Sequence, residues 1–116
     1  MWEEIQARRW NDARGLLADD LLIYWPHTGE LIKGAANYIA LNQRYPAGWS
    51  IEVLSALGDG TRASIEARVP HETLGVFFVT GFYELSGGLV RKGTEYWVTE
   101  KAEAPPAWRA ALTERV

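Results

Sequence analysis

Cysteine is absent, which excludes disulfides, thiolate nucleophiles and cysteine-ligated metals. It leaves the compartment open, because a cysteine-free chain is stable under either redox condition. No Lys/Arg run occurs and the net charge is −3, so the cationic footprint of a nucleic-acid binder is missing. No apolar segment approaches the roughly 20 residues of a membrane span. The N-terminal "MWEEIQARRW" is charged and amphipathic, unlike a secretory leader. Together these absences predict a soluble, cytoplasmic protein that contacts neither nucleic acid nor membrane. Nucleophile elbow, phosphate-binding loop and dinucleotide fingerprint are all missing. The two histidines, His27 and His71, sit in predicted turns with no carboxylate spacing motif, so solvent exposure is expected and no metal or cofactor is. There is no repeat, low-complexity tract or linker, and 116 residues suit one domain, 1–116, with a single core.

What the chain does have is tryptophan: six Trp against three Phe. Trp joins an apolar body to one polar N–H, which suits core, cavity walls and interfaces. One of them ends a strand-like run directly before a proline, in "LLIYWPHTGE", Leu21 to Glu30. Around that run, Trp2, Ile5, Trp10, Ala13, Leu16 and Leu17 recur at the helical period, with Ala18-Asp19-Asp20 ending the helix. After the "PHTGE" turn comes a brief extended piece, Leu31 to Lys33, then a second helix over Ala35 to Tyr45 with Tyr38, Ile39, Leu41 and Tyr45 on its apolar face. From Trp49 the period is that of strands. "GDG" at Gly58–Gly60, "PHET" and "SGG" at Ser86–Gly88 divide four long strands, and "PAWRAALTERV" adds a final helical turn or two. Tight turns make these strands antiparallel neighbours. The fold class predicted is α+β: a curved antiparallel sheet, a cone-shaped barrel with helices packed on its concave face.

The third long strand is apolar on both faces: Leu74, Val76, Phe78 and Phe82 on one, Phe77, Val79, Tyr83 and Leu85 on the other. A sheet with one wet face alternates apolar and polar. Helices cover one face, and a second copy across a two-fold axis is the expected cover for the other. The alternative is a monomer whose C-terminal segment folds over that face. Gly75, Gly81 and Gly93 permit the long strands to bend. A bent sheet closed by helices leaves a hollow near its mouth, where inward polar groups become binding groups.

"GLLADDLLIYWPHTGELIKG", the helix ending in "YP" and "GFYELSGGLVRKGTEYWV" resemble the nuclear transport factor 2-like superfamily, in particular its SnoaL-like polyketide-cyclase and ketosteroid isomerase-like branch. The resemblance runs from about Ala7 to Glu100. It implies a cone with a pocket inside, commonly dimeric through the outer sheet face, and a fold that hosts enzymes, binding proteins and dimerisation modules alike. In the isomerases the position before the proline carries the aspartate base; here it is Trp25. Their tyrosine donor falls near Met1 and their protonated aspartate near Thr80. With none of the three retained, proton transfer of that kind lacks its positioned base.

The candidate acid–base residue is Glu95, in "TEYWV"; inside the cone, burial would raise its pKa. A carboxylate paired with Arg68 or Arg91 across the sheet is the plainer expectation. Glu66 is the second catalytic candidate, sharing a strand face with Arg68; turned outward, both are ordinary solvated charges. The expected cavity wall is Trp25, Phe78, Phe82 and Trp97, with Tyr24, Thr80 and Arg68 as further contacts. Asn42 and Tyr45, three apart on a helix face, offer an amide and a phenol. The ligand implied is a small apolar molecule. A fully packed cone with a scaffolding role is the competing expectation.

Overall fold

The amphipathic N-terminal stretch does not run as one helix. In the computed structural model, which describes residues 1–116 except the side chain of Gln6, it forms α1 (Trp2–Gln6) and α2 (Trp10–Gly15). The break falls at Arg8, whose φ of 62° is left-handed. There the Arg8 guanidinium lies 3.4 Å over the Trp49 ring and donates to the Trp49 carbonyl at 2.8 Å. The next elements are β1 (Leu17–Trp25), β2 (Glu30–Lys33), α3 (Ala35–Arg44), β3 (Glu52–Gly58), β4 (Arg62–His71), β5 (Gly75–Ser86) and β6 (Leu89–Thr99). A short 3-10 turn follows at Ala107–Arg109.

Two corrections concern β1. Ala18-Asp19-Asp20, expected to end a helix, already belongs to the strand. And the sheet, ordered β2-β1-β6-β5-β4-β3, is mixed rather than wholly antiparallel, because β1 pairs in parallel with β6. The return from β6 to β1 is not local in sequence, and no turn signal announces it. The remaining pairs are antiparallel. The sheet curves without closing: β2 and β3 are its edges.

The β3–β4 hairpin is fixed by Asp59. Its Oδ1 accepts from the backbone N–H of Arg62 (2.8 Å) and Thr61 (2.9 Å) and from the Thr61 hydroxyl (2.9 Å). Those bonds, the Arg62 N–H foremost, hold the carboxyl down to about 2.

The concave face is the core. Leu21, Ile23 and Trp25 from β1, Ala67 and Val69 from β4, and Val79 and Tyr83 from β5 are buried beneath Ile5, Ala13, Ala35, Tyr38 and Ile39 of the helices. Among the described residues nothing covers the convex face, and its large apolar side chains stay open between polar ones: Tyr24, Phe82, Tyr96 and Val98 are 43%, 53%, 49% and 60% exposed. Phe82 and Tyr96 meet there edge to face at 6.3 Å. No helix among the described residues is long and apolar enough to cross a membrane.

Candidate functional site

Glu95 points from β6 into the cone and is wholly buried. Its Oε1 accepts from the Trp25 indole N–H at 2.8 Å. Its Oε2 accepts from the Tyr38 hydroxyl at 2.8 Å and the Tyr83 hydroxyl at 2.6 Å. The donors come from three elements: the last residue of β1, the inward face of α3, and β5 beside it. The proline after Trp25 begins the turn that ends β1, so the indole stands at the strand's last inward position. The expected ion pair is overturned. Arg68 reaches Glu52 at 3.3 Å and Arg91 reaches Asp20 at 2.9 Å, away from Glu95.

Burial pushes the Glu95 carboxyl above its ordinary value, while the bonds from Tyr83, Trp25 and Tyr38 pull back against it. Both phenols are pushed well up, by burial first and then by the neighbouring Glu95, so they remain protonated donors. A carboxylate has about four acceptor positions, and three donors already occupy it here.

Two glycines make this arrangement possible. A Cβ on Gly81 would lie 2.2 Å from the Tyr83 hydroxyl oxygen, and one on Gly93 would lie 2.5 Å from the Tyr83 ring. The Tyr83 ring therefore lies flat along the strands, over both glycines, and its hydroxyl reaches Glu95 across that bare backbone.

A cavity of about 230 Å³ opens beside this cluster, toward the mouth of the cone. Trp2, Trp49, Ile51, Val69, Phe77 and Trp97 form its apolar wall, with His27, Asn42, Tyr45 and His71 at its polar points. Glu95 does not touch it. Trp97, two residues further along the same face of β6, stands in the wall, and Trp25 packs against Trp97 edge to face at 6.3 Å. The contacts that lead from the carboxylate to the cavity thus run through the Trp25 indole and on to Trp97 in the wall. His71 is tied down: its Nδ1 accepts from the backbone N–H of Thr73 and Leu74, both at 3.1 Å. His27 stacks obliquely on Trp25 at 5.8 Å. Among the described residues no group of three or more His, Asp or Glu side chains is placed to hold a metal.

Of the residues singled out from sequence, Trp25 and Glu95 meet in the buried cluster, and Trp97, Asn42 and Tyr45 meet at the cavity. Six do not join them. Tyr24, Glu66, Arg68, Phe78, Thr80 and Phe82 all lie on the convex face, in cross-strand rows such as Glu66–Thr80–Tyr96 and Arg68–Phe78–Val98. One irregularity explains the strands' part of this. The β5–β6 register shifts at Glu84/Leu85, leaving Arg91 as an extra residue. Without that bulge Glu95 would oppose Thr80 and share a face with Phe78 and Phe82, as expected from sequence. A one-residue slip reverses every side chain. Tyr38 and Tyr83 are the residues that sequence reasoning passed over. Their signal was a tyrosine at core positions where phenylalanine would pack as well, since a buried phenol needs a partner.

No protein-family model and no curated protein sequence matches the chain. Solved structures do. A candidate ketosteroid isomerase from Kribbella flavida DSM 17836 is 33% identical, with a TM-score of 0.89 over 99% of this chain and 83% of that one. The chain belongs to the NTF2-like superfamily. An NTF2-like protein of unknown function from Burkholderia xenovorans LB400 superposes with a TM-score of 0.76 at 24% identity, over 99% and 88% of the two chains. An LEH-like epoxide hydrolase from M. tuberculosis shares the fold at 20% identity and a TM-score of 0.67, over 84% and 76%. The NTF2-like cone is thus the scaffold on which Glu95 and the cavity are mounted.

Proposed function

We propose that this NTF2-like protein binds a small, mainly apolar molecule in the cavity at the mouth of its cone, and that two copies pair through their convex sheet faces. The observation that carries the first part is the 230 Å³ hollow walled by indole and aliphatic groups, with an amide, a phenol and two imidazoles at its edges. Its size sets the ligand class. Drug-sized ligands occupy about 300–1,000 Å³, and an engineered apolar cavity of about 150 Å³ binds benzene. The occupant is therefore on the order of ten non-hydrogen atoms, smaller than a steroid. Asn42, Tyr45 and His27 favour a polar group at one end of it.

Binding fits the geometry better than isomerase-type turnover. Trp25 stands where those isomerases carry their base, Thr80 faces out of the cone, and the buried Glu95 carboxylate is already held by three donors. A second reading is favoured by the place of Glu95: burial raises its carboxyl, and the Trp25 indole that bonds it packs on Trp97 in the cavity wall. If Trp97 or Trp2 swings aside, Glu95 becomes a general acid or base in a dry pocket.

The test is a titration with apolar compounds of graded size, from one ring to a steroid skeleton, read by heat of binding. Saturable binding should be strongest near two rings and weak for the steroid. Leu74, 55% exposed at the cavity edge, offers a blocking site: Leu74→Trp should abolish binding without unfolding the protein. Affinity that rises steadily with ligand size, or is indifferent to Leu74→Trp, would refute the assignment of the site. Glu95→Gln separates the two readings, since a binder keeps its ligand affinity whereas an enzyme keeps affinity and loses turnover.

A further inference from the structure

Residues 100–116 leave the domain as an arm. Lys101, with φ of 55°, turns the chain off the end of β6, and every residue from Glu100 onward is exposed. The arm nevertheless holds a shape of its own. Pro105-Pro106 stiffen it. The backbone N–H of Arg109 donates to Pro106 at 3.1 Å, and those of Leu112 and Thr113 donate to Arg109 at 2.8 and 3.1 Å. From Glu103 onward, among the described residues, every recorded backbone hydrogen bond stays inside the arm. Its apolar side chains stand open: Trp108 is 72% and Leu112 80% exposed, with the neighbouring Arg109 guanidinium 5.5 Å over the Trp108 ring. A tryptophan held out by fixed turns is hydrophobic surface shaped for a partner.

The superposition on the K. flavida structure covers 99% of this chain and so extends into the arm.

We propose that the arm docks on a second copy of this chain, seating Trp108 and Leu112 in an open groove on that copy's convex sheet face. The groove, about 690 Å³, is lined by Leu57, Phe82 and Thr94 with Arg62, Glu84 and Lys92 along it. It lies at the Glu84/Lys92 end of the β5–β6 pair, and the arm departs from the Thr99 end. A two-fold pairing of convex faces with strands antiparallel sets each arm root over the other copy's groove. Reach allows it. From Glu100 to Trp108 an extended chain spans up to about 26 Å, comparable with the 25 and 30 Å shorter extents of the molecule. The inference rests on the convex-face pairing proposed above and adds the segment that secures it.

The experiment is sedimentation of the full-length protein across concentration, alongside limited trypsin digestion at Lys101 and Arg109. Wild type should dimerise, and cleavage in the arm should slow as dimer forms. Trp108→Ala and Phe82→Ala should each weaken dimerisation on the order of thirty-fold, with the circular dichroism spectrum unchanged because neither side chain is in the core. A dimer indifferent to Trp108→Ala but broken by Val98→Glu overturns the arm's role and leaves the face pairing standing. A protein monomeric at every concentration overturns both. Arm protection independent of concentration means the arm folds back on its own chain, which also overturns the proposal.

Discussion

At the scale of the residue, the centre of this protein is one carboxylate with three donors and no cation. Glu95→Gln keeps the shape but replaces one acceptor by an NH₂ group facing an indole or phenol donor. Equilibrium unfolding in urea should show a loss of about 1–3 kcal/mol, the usual cost of unmatching a buried hydrogen-bonding group. The pH dependence has a definite sign. Burial raises the folded-state carboxyl above its unfolded value, so the folded protein binds the proton more tightly. The stability attributable to that proton is complete below the ordinary carboxylate range and lost as pH rises through the folded value. Wild-type stability at neutral pH should therefore rise on mild acidification relative to Glu95→Gln, whose curve is flatter in that window. A wild-type curve that falls in parallel with the variant's would contradict the assignment. From sequence, Trp25 could be named as an indole before a proline, and Glu95 because it alternates with Trp97 on the last strand. Tyr38 could be placed on the inward helix face, but its bond to Glu95 spans elements far apart in the chain.

At the scale of the element, strand parity decides which residues meet. The β5–β6 hairpin carries its two-glycine turn in plain view, yet the bulge at Arg91 leaves no compositional mark. Simple counting back from the turn therefore puts Phe78, Thr80 and Phe82 inside when they are outside. The glycines of these strands were legible as bends; the structure gives Gly81 and Gly93 a tighter duty, as the bare backbone on which the Tyr83 ring lies. Gly81→Ala should destabilise by about 1–3 kcal/mol, the ordinary cost of overpacking, because Tyr83 must leave Glu95 to admit the methyl. In a double-mutant cycle with Tyr83→Ala the two losses should be far from additive, since the second substitution removes the clash. Additive losses would place the Gly81 effect elsewhere. The single N-terminal helix read from its 3.6 period is divided for a similar reason: the left-handed turn at Arg8 serves a contact with Trp49, forty-one residues on.

At the scale of the whole molecule, the order of helices and strands and the curled sheet were legible because local period and turn chemistry agree with the global fold. The parallel β1–β6 seam was not, being a long-range pairing, and neither was the arm: the C-terminal segment reads as a final helical turn or two, with folding over the outer sheet face as the alternative to a dimer. The two faces of the sheet now divide the labour proposed here: the concave side holds Glu95 and the cavity, the convex side and the arm await a twin. The most direct measurement of the first is a ¹H–¹⁵N spectrum of the tryptophan indole N–H signals during titration with naphthalene. Binding in the cavity requires saturable shifts for Trp97 and Trp49 in its wall, a Trp25 signal that keeps its carboxylate-bonded position, and no movement of Trp108. Shifts confined to Trp108, or no shift in any indole at saturating naphthalene, would contradict it.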